Sequence, residues 1–230
     1  MGDSTQKPSA DSSDSYFAGD YQEIMYTGLI GWFSRLTHEL MDRPFRNTKT
    51  PVVLEVGAGV GQHARYSRTD FDTYYSTDIS DDALAACTTK DPRVIVMKAD
   101  AQHLSTFADE SVDRVVATCL LAHLGDPEQA LQEWRRVLKP GGSVSIYVPA
   151  EPGMLLRLLR HLAVVPKSRR LGNDHLSVIY RDHRNHYPSM RLMVLSVFSA
   201  DDIHRRRFPT SILGWNFSLF DIFHITKQGN

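Results

Sequence analysis

Short apolar runs alternate with amphipathic segments between Pro51 and residue 150. The runs are apolar on both faces, which is typical of strands in a parallel sheet that helices cover. The pattern predicts five strands there, at residues 52–56, 73–76, 94–97, 112–117 and 143–148. Between them it predicts helices near residues 62–68, 81–88 and 127–138, the last one closed by a turn at residues 139–142.

The chain on either side of this region has a different pattern. Residues 16–46 carry apolar positions at helical spacing up to Pro44, which predicts a helical N-terminal cap, whereas residues 1–15 are polar and are predicted to be a disordered tail. After residue 148 the alternation stops, and residues 151–187 form a basic, irregular insertion with one predicted helix at 154–164. A helix at 190–198 and two closely spaced strands at 203–208 and 215–226 follow. Strands so close together pair antiparallel.

These elements predict an α/β fold in a single domain over residues 16–230. Its seven-stranded sheet is mainly parallel, with an antiparallel last strand and an insertion after the fifth strand.

Composition and charge narrow the class of protein. The chain has 230 residues, 42% hydrophobic and 23% charged, enough for one full core. The formal net charge of −1 conceals a split, because residues 1–150 carry −7 and residues 151–230 carry +6. The two cysteines form no redox or zinc pair by spacing, and no apolar run is long enough to cross a bilayer. We therefore expect a cytoplasmic protein with neither a membrane nor a nucleic-acid partner.

A glycine-rich loop follows the first predicted strand, with Gly57, Gly59 and Gly61. Glycines at the carboxyl end of a strand let the backbone approach a ligand closely. The dinucleotide fingerprint needs a further glycine where this chain has Gln62. Glu55, two residues before the first glycine, repels a pyrophosphate but suits a ligand with a positive charge.

Two further acids follow the next two strands. Asp78 comes 21 positions after Gly57, a spacing that places a carboxylate beside a ribose. Asp100 follows the third strand, where a carboxylate can accept a hydrogen bond from an adenine amino group. Each acid alone is explained by a turn or a helix cap, but three successive acidic strand ends favour a ligand site.

Residues 54–61, Leu-Glu-Val-Gly-Ala-Gly-Val-Gly, resemble the first motif of class I S-adenosylmethionine-dependent methyltransferases. Asp78 matches the ribose-binding acid of that family and residues 100–101 its adenine-binding pair, while residues 107–113 and 138–142 resemble motifs of its ubiquinone/menaquinone-type subgroup. The resemblance implies a Rossmann-like fold and S-adenosyl-L-methionine as the cofactor. It also implies cofactor contacts from Glu55, Gly57, Gly59, Gly61, Gln62, Asp78, Ile79, Asp100, Ala101, Gln102, Thr118 and Cys119.

Methyl transfer to an amine needs only a lone pair, whereas transfer to an alcohol needs a base. His123 lies just past the fourth strand, where related enzymes often have a histidine, and the alternative is that it orders this loop. His183 and His186 lie in the insertion, where class I enzymes place substrate elements, and the alternative is a solvated loop. No arrangement of residues resembles a metal site, and we expect none.

The insertion carries a net charge of +4 and four histidines. Arginine is suited to bidentate capture of phosphate or carboxylate, so an anionic acceptor is one interpretation and a solvated basic loop is the other. We expect substrate contacts from Tyr21 in the cap and from Arg181, Arg184 and Tyr187 in the insertion. Residues 19–25 and 183–188 look like those of methyltransferases from glycan and secondary-metabolite pathways.

The leading hypothesis is O- or N-methylation of a small biosynthetic intermediate, such as a sugar, an amino sugar or a natural product. A nucleic-acid methyltransferase would want an Asn/Asp-Pro-Pro-aromatic motif after the fourth strand, where residues 118–121 read Thr-Cys-Leu-Leu. A non-catalytic binding module is disfavoured by the three intact carboxylates. A dinucleotide-dependent reductase is disfavoured by Gln62 and Glu55.

Overall fold

The computed structural model describes residues 19–229, which are built around a seven-stranded sheet in the order β3-β2-β1-β4-β5-β7-β6. The strands are β1 (Val52–Val56), β2 (Thr73–Asp78), β3 (Val94–Lys98), β4 (Val112–Thr118), β5 (Leu138–Pro149), β6 (Asp202–Phe208) and β7 (Phe220–Thr226). β1 to β5 are parallel, β7 pairs antiparallel with β5, and β6 pairs antiparallel with β7. The prediction of an α/β fold with a mainly parallel seven-stranded sheet is confirmed. The strand order reverses between β1 and β4, and ligands of such sheets bind at this switch point.

Two details of the strands differ from the sequence prediction. Residues 139–142 belong to β5 rather than to a turn, because the C-terminal tail supplies them with extended hydrogen bonds. Gly141 N donates to Lys227 O at 2.8 Å, and Lys227 N donates to Gly142 O at 2.9 Å. Residues Trp215–Phe217 form a 3-10 turn rather than the start of the last strand, which begins at Phe220.

Nine α-helices surround the sheet in the described part of the chain. They are α1 (Asp20–Tyr26), α2 (Gly28–Asp42), α3 (Gln62–Tyr66), α4 (Asp81–Ala86), α5 (Pro127–Val137), α6 (Met154–Leu159), α7 (Val165–Arg170), α8 (His175–Asp182) and α9 (Tyr187–Val197). None of the helices within residues 19–229 combines the length and the apolar character needed to cross a bilayer.

The cap is two helices, so the prediction of one continuous helix is wrong. Thr27 is extended and Gly28 has a φ of 64°, a left-handed conformation that favours glycine and ends α1. α2 then runs back across the sheet to Asp42, and Arg43–Phe45 continues it as a 3-10 turn. Residues 16–18 of the predicted cap and the predicted tail lie outside the described residues.

The insertion is largely helical, which corrects the expectation of an irregular segment. α6 continues through a π-helical turn at Arg160–Val164 into α7, and α8 follows. α8 begins at Asp174, whose carboxylate accepts from Ser177 N at 3.3 Å. Its buried face consists of His175 and Ile179, and a buried histidine hides the apolar stripe that sequence patterns detect.

A buried ion pair joins the cap to the centre of the sheet. Arg114 on β4 donates to Asp42 Oδ1 at 2.6 Å and to Thr69 Oγ1 at 2.7 Å, and its guanidinium lies 3.8 Å above the Phe45 ring. Both charged side chains are fully buried. Because an unpaired charge is costly in such surroundings, the pair fixes the end of α2 on β4.

We expect Asp42→Asn to lower the free energy of unfolding by about 3–5 kcal/mol, because it leaves the Arg114 charge buried without its partner. Urea unfolding measures the loss. The matched control is Asp72→Asn, which removes an exposed partner of Lys49 at 3.3 Å and should change the stability little. Similar losses in the two variants would contradict the role of the buried pair.

Candidate active site

The loop after β1 is built from left-handed backbone. Gly57, Gly59 and Gly61 have φ values of 63°, 55° and 74°, a region that favours glycine. A Cβ on Gly57 would lie 2.5 Å from the Leu120 side chain, and one on Gly61 would lie 2.6 Å from the Cys87 sulfur. A Cβ on Gly59 would meet nothing within 4 Å. The loop therefore offers open backbone surface at the switch point of the sheet.

Asp78, the last residue of β2, braces this loop. Its Oδ2 accepts from Gly59 N at 2.8 Å, and its Oδ1 accepts from Ser80 N at 2.9 Å. A carboxylate has about four acceptor positions, so both oxygens keep further capacity. Asp78 can thus hold the loop and accept hydroxyl hydrogen bonds at the same time.

Asp100 closes a turn two residues after β3. Its Oδ1 accepts from Gln102 N at 2.9 Å, and the Gln102 side-chain oxygen accepts from Asp126 N at 2.7 Å, which ties this turn to the start of α5. Ala101 is buried, and Ile79 beyond β2 is exposed. Asp100 therefore has the turn role that was the alternative to ligand binding. This role uses one carboxylate oxygen and leaves the other available for a ligand.

Glu55 is fully buried near the end of β1. Its Oε2 accepts from the Tyr74 hydroxyl at 2.8 Å, while its Oε1 has no hydrogen-bond partner within residues 19–229. Burial raises the pKa of Glu55 to about 8, with the Tyr74 hydrogen bond opposing the rise and the Asp78 charge adding to it. At neutral pH this acid is therefore mostly protonated, and a cation bound beside it would favour its ionised form.

β4 ends beside the glycine loop. Thr118 is its last residue, and Cys119 turns the chain with a φ of 58° and donates its amide to Tyr147 O at 3.3 Å. On the other side of the loop, Gln62 begins α3 and donates its side-chain amide to Gln22 Oε1 of α1 at 2.7 Å. The first contact joins Cys119 to β5, and the second joins Gln62 to the cap.

Tyrosine side chains gather over this edge. Burial, followed by the nearby Cys119 and Glu55, raises the pKa of Tyr26 on α1. Burial, followed by Cys119 and Tyr21, raises the pKa of Tyr147 on β5. Cys119 acts on the pKa of both tyrosines, which places tyrosines of the cap and of the sheet near the end of β4.

Glu151 comes directly after Ala150 at the end of β5 and is a fourth acid at this edge. It is buried, and it accepts from Arg160 on Oε1 and from His183 Nδ1 on Oε2. Burial acts to raise the pKa of Glu151, but the His183 and Arg160 hydrogen bonds outweigh it and lower the pKa to about 2. An ionised carboxylate only accepts, so His183 carries a proton on Nδ1, and Nε2 is the ring nitrogen that this contact does not use.

His123 and Cys119 complete a cluster with His183. The two histidine rings meet edge to face with centroids 4.6 Å apart, and Cys119, His123 and His183 each offer one ligating atom within 4.8 Å of the others. Burial and the His183 charge lower the pKa of His123 to about 4. Burial and Glu151 raise the pKa of Cys119 to about 12. Three such side chains can also ligate a metal ion, although the sequence led us to expect none.

Asn185 brings the two halves of this cluster together. Its side-chain amide donates to Leu121 O at 2.9 Å and to Leu124 O at 2.8 Å, and its backbone amide donates to Ala122 O at 3.1 Å. The polar residues 183–186 therefore join the insertion to the loop after β4 by hydrogen bonds.

Sequence reasoning missed Glu151, Arg160 and Asn185 as site residues. The rule that selected the other strand-end acids applies to Glu151 as well, since it follows the fifth predicted strand. No local signal marks Arg160 or Asn185, because each meets its partner through the tertiary fold.

Tyr187 was expected to contact substrate, and this expectation is wrong. Its side chain is only 1% exposed, its hydroxyl donates to Asp221, and Arg207 donates to that hydroxyl at 3.0 Å. The ring stacks on Trp215. Tyr187 is therefore a core residue that anchors the start of α9.

The other predicted substrate and catalytic residues lie in different surroundings. Arg181 is exposed and donates to Asp182 at 2.9 Å, and Arg184 is exposed beside His183. His186 is exposed at the N-cap of α9 and is not part of the histidine cluster. Tyr21 is half-buried near Tyr147. The structure thus brings together two of the three candidate histidines.

Comparison with known proteins identifies the class of domain. Residues 54–146 match the family model described as Methyltransferase domain. The matched segment begins within β1, just before the glycine loop, and extends into β5.

Two curated relatives match part of the chain. Methyltransferase GfsG from Streptomyces halstedii is 34% identical over 119 residues, which cover 49% of this chain and 42% of GfsG. Thiol S-methyltransferase TMT1B from Rattus norvegicus is 35% identical over 81 residues, which cover 34% of this chain and 33% of that protein. The chain spans less than half the length of the curated relatives that it matches.

The fold is also found among solved structures. The structure of phosphoethanolamine N-methyltransferase 2 from Haemonchus contortus in complex with S-adenosyl-L-methionine has a TM-score of 0.63 and 20% identity. The match covers 99% of this chain and 59% of that chain. At this identity the likeness concerns the fold.

We expect Glu55→Gln to change how the stability depends on pH. Because the folded pKa of about 8 lies above the ordinary 4.5, the folded state binds more protons than the unfolded state between these values. The stability of the wild type therefore falls as pH rises through this window. Glutamine stays neutral and keeps an acceptor for Tyr74, so the variant should gain more than about 1 kcal/mol relative to wild type between about pH 5 and pH 8. Urea unfolding at both pH values measures this gain, and a difference independent of pH would contradict the raised pKa.

Proposed function

We propose that this chain, which belongs to the class I S-adenosylmethionine-dependent methyltransferases, methylates a small-molecule acceptor at the carboxyl edge of its sheet. One observation carries the proposal. The glycine loop after β1 and the Glu151–His183 pair after β5 lie along the same edge, on the two sides of β4. This arrangement supports a cofactor cradle and a proton acceptor at neighbouring strand ends.

The described residues fit S-adenosylmethionine, which supplies a methyl group on a positively charged sulfur. The buried Glu55 with its unpaired oxygen offers a partner for positive charge. Asp78 has capacity for the ribose hydroxyls, and Asp100 with the buried Ala101 suits the adenine. The open backbone at Gly59 leaves room for close approach of the ligand.

The main task of the protein is alignment. Displacement at a sulfonium methyl has an excellent leaving group, so holding the acceptor in line supplies most of the acceleration. Tyr21, Tyr26 and Tyr147 lie near Cys119, and closing this region around a bound acceptor would exclude water and strengthen the electrostatic contacts with the acceptor. Thr118 and Cys119 at the end of β4 lie between the glycine loop and the Glu151–His183 pair.

His183 is the base in this proposal. Glu151 fixes the imidazole through Nδ1 and stabilises the imidazolium that forms when Nε2 takes a proton from an acceptor hydroxyl or thiol. Arg160 holds the other carboxylate oxygen and keeps Glu151 ionised. The neutral His123 ring packs against His183 and limits its rotation. His186 plays no direct part in this arrangement.

The acceptor class is small molecules, such as a sugar, an amino sugar or a natural-product intermediate. The names of two similar proteins, a thiol S-methyltransferase and a phosphoethanolamine N-methyltransferase, denote small acceptors and support this class. Exposed Arg184 beside His183 supports an anionic group on the acceptor. The two free thiols among the described residues support a cytoplasmic location.

The competing functions have weaker support. A nucleic-acid methyltransferase needs residues after β4 that grip a flipped base, and Cys119 occupies that place with its side chain in the histidine cluster. An amine acceptor requires no base, so the Glu151–His183 pair favours a hydroxyl or thiol.

We expect His183→Asn to lower kcat by about 10²- to 10⁴-fold while the affinity for S-adenosylhomocysteine stays within about twofold. Glu151→Gln should lower kcat less, since it keeps a hydrogen-bond acceptor for His183. The measurement uses labelled cofactor with the best acceptor from a panel of sugars, alkyl thiols and amines, and includes the pH–rate profile, whose rising limb should vanish in His183→Asn.

The control for the histidine variant is His204→Asn on exposed β6, which should keep wild-type turnover. A chelator should leave wild-type turnover unchanged if the imidazole is a base. Loss of turnover with a chelator that Zn²⁺ restores would assign Cys119, His123 and His183 to a metal and contradict the proposed base.

A further inference from the structure

The stretch from Met154 to Arg170, here called the insertion helix, comprises α6, the π-helical turn and α7. It presents a row of apolar side chains to solvent. Met154, Leu158 and Leu162, spaced four residues apart, are 62%, 55% and 67% exposed, and Leu159 is 42% exposed. A contiguous exposed apolar row on a helix marks an interaction surface rather than ordinary surface.

Positive charges border this row. Arg157, Arg169 and Arg170 are exposed on the same helix, and none of them has a carboxylate within ion-pair distance in residues 19–229. His161 is exposed between the apolar positions. Asp174 lies near Arg169 but forms no ion pair with it, so the surface combines apolar side chains with an excess of positive charge.

The opposite face of the insertion helix is fully engaged by the protein. Arg160, Val165 and Ser168 are buried, and Arg160 binds Glu151 of the candidate active site. Lys167 donates to several oxygens at the end of α1 at 2.6–3.2 Å. The fold thus fixes the helix by its inner face, and the outer row is not needed for packing.

A neighbouring loop extends the apolar surface. The 3-10 turn Trp215–Phe217 lies against α6. Phe217 and Leu213 are about half exposed and Ile212 is almost fully exposed. The apolar surface thus includes two separate segments, as an extended docking face requires.

We propose that the insertion helix and residues 212–217 dock this protein on an anionic lipid bilayer. The leucines and Met154 enter the boundary between head groups and acyl chains, and the bordering arginines meet lipid phosphates. The expectation of no membrane partner rested on the lack of a spanning segment, and docking on a surface needs none. This inference goes beyond methyl transfer and does not depend on the identity of the acceptor.

The positive charges beside the apolar row favour a bilayer over a second copy of the chain as the partner of this face. A twofold contact through this face would bring Arg157, Arg169 and Arg170 towards their own counterparts, with only Asp174 beside Arg169 to offset these three charges. An anionic lipid surface compensates all three charges and takes up the apolar row. The bilayer surface would then lie one helix diameter, about 10 Å, from Arg160. The docked protein could therefore receive acceptors that reside in the membrane.

The test is co-sedimentation of the full chain with vesicles of phosphatidylcholine alone or mixed with phosphatidylglycerol. We expect binding to the mixed vesicles at low salt that weakens at high salt, and little binding to phosphatidylcholine alone. Leu158→Ser/Leu162→Ser should weaken binding about tenfold or more. Arg169→Ala/Arg170→Ala should weaken it about 30-fold.

Matched controls distinguish binding through this face from nonspecific effects of exposed apolar residues or of positive charge elsewhere on the protein. Leu192→Ser changes an exposed leucine on α9, and Lys49→Ala/Lys90→Ala removes two positive charges elsewhere; both should keep vesicle binding. All variants should keep S-adenosylhomocysteine binding, which separates this test from that of the proposed function. No binding to the mixed vesicles, or equal losses in the controls, would overturn the proposal. A wild-type dimer that Leu158→Ser/Leu162→Ser dissociates would assign the face to a second copy instead.

Discussion

The position of the cap over the sheet depends on the buried ion pair between Asp42 and Arg114. Arg114 sits on β4, the strand whose end carries Cys119, and Asp42 ends α2. α2 in turn holds α1, since the Ser34 hydroxyl donates to the Met25 carbonyl at 2.6 Å. The charge pair therefore fixes the helices of the cap, including Tyr21 and Tyr26 of α1, relative to the strand ends, and the stability of the fold depends on it.

The parallel sheet explains why acids from distant parts of the chain meet. Parallel strands end at one edge, so Glu55, Asp78, Asp100 and Glu151 collect there although they span almost a hundred residues. The first three belong to the acidic half of the chain and suit a cationic cofactor. Glu151 is paired with Arg160 from the basic half, while Arg157, Arg169 and Arg170 of that half are exposed. The positive charges of the C-terminal part of the sequence are thus divided between buried ion pairs and the surface.

The sequence was sufficient to predict the sheet, because the sheet follows from local periodicity. The cofactor contacts stay predictions, and the structure adds that the glycine loop and the strand-end acids lie along one edge. The sequence was insufficient for the acceptor side. His183 was a candidate, but its partner Glu151 was seen only as one charge in a basic insertion, and α8 was hidden by a buried histidine. Asp42 and Arg114 are 72 positions apart in the sequence, and no local pattern predicts a contact between them.

The central claim is that the acidic strand ends and the glycine loop hold a sulfonium cofactor. Isothermal titration calorimetry with S-adenosylhomocysteine tests it most directly, with Asp78→Ala as the variant and Asp81→Ala, an exposed partner of Lys98, as the control. The account predicts micromolar binding to the wild type and to the control, and loss of binding in Asp78→Ala. Binding of a nicotinamide dinucleotide in place of S-adenosylhomocysteine would contradict it.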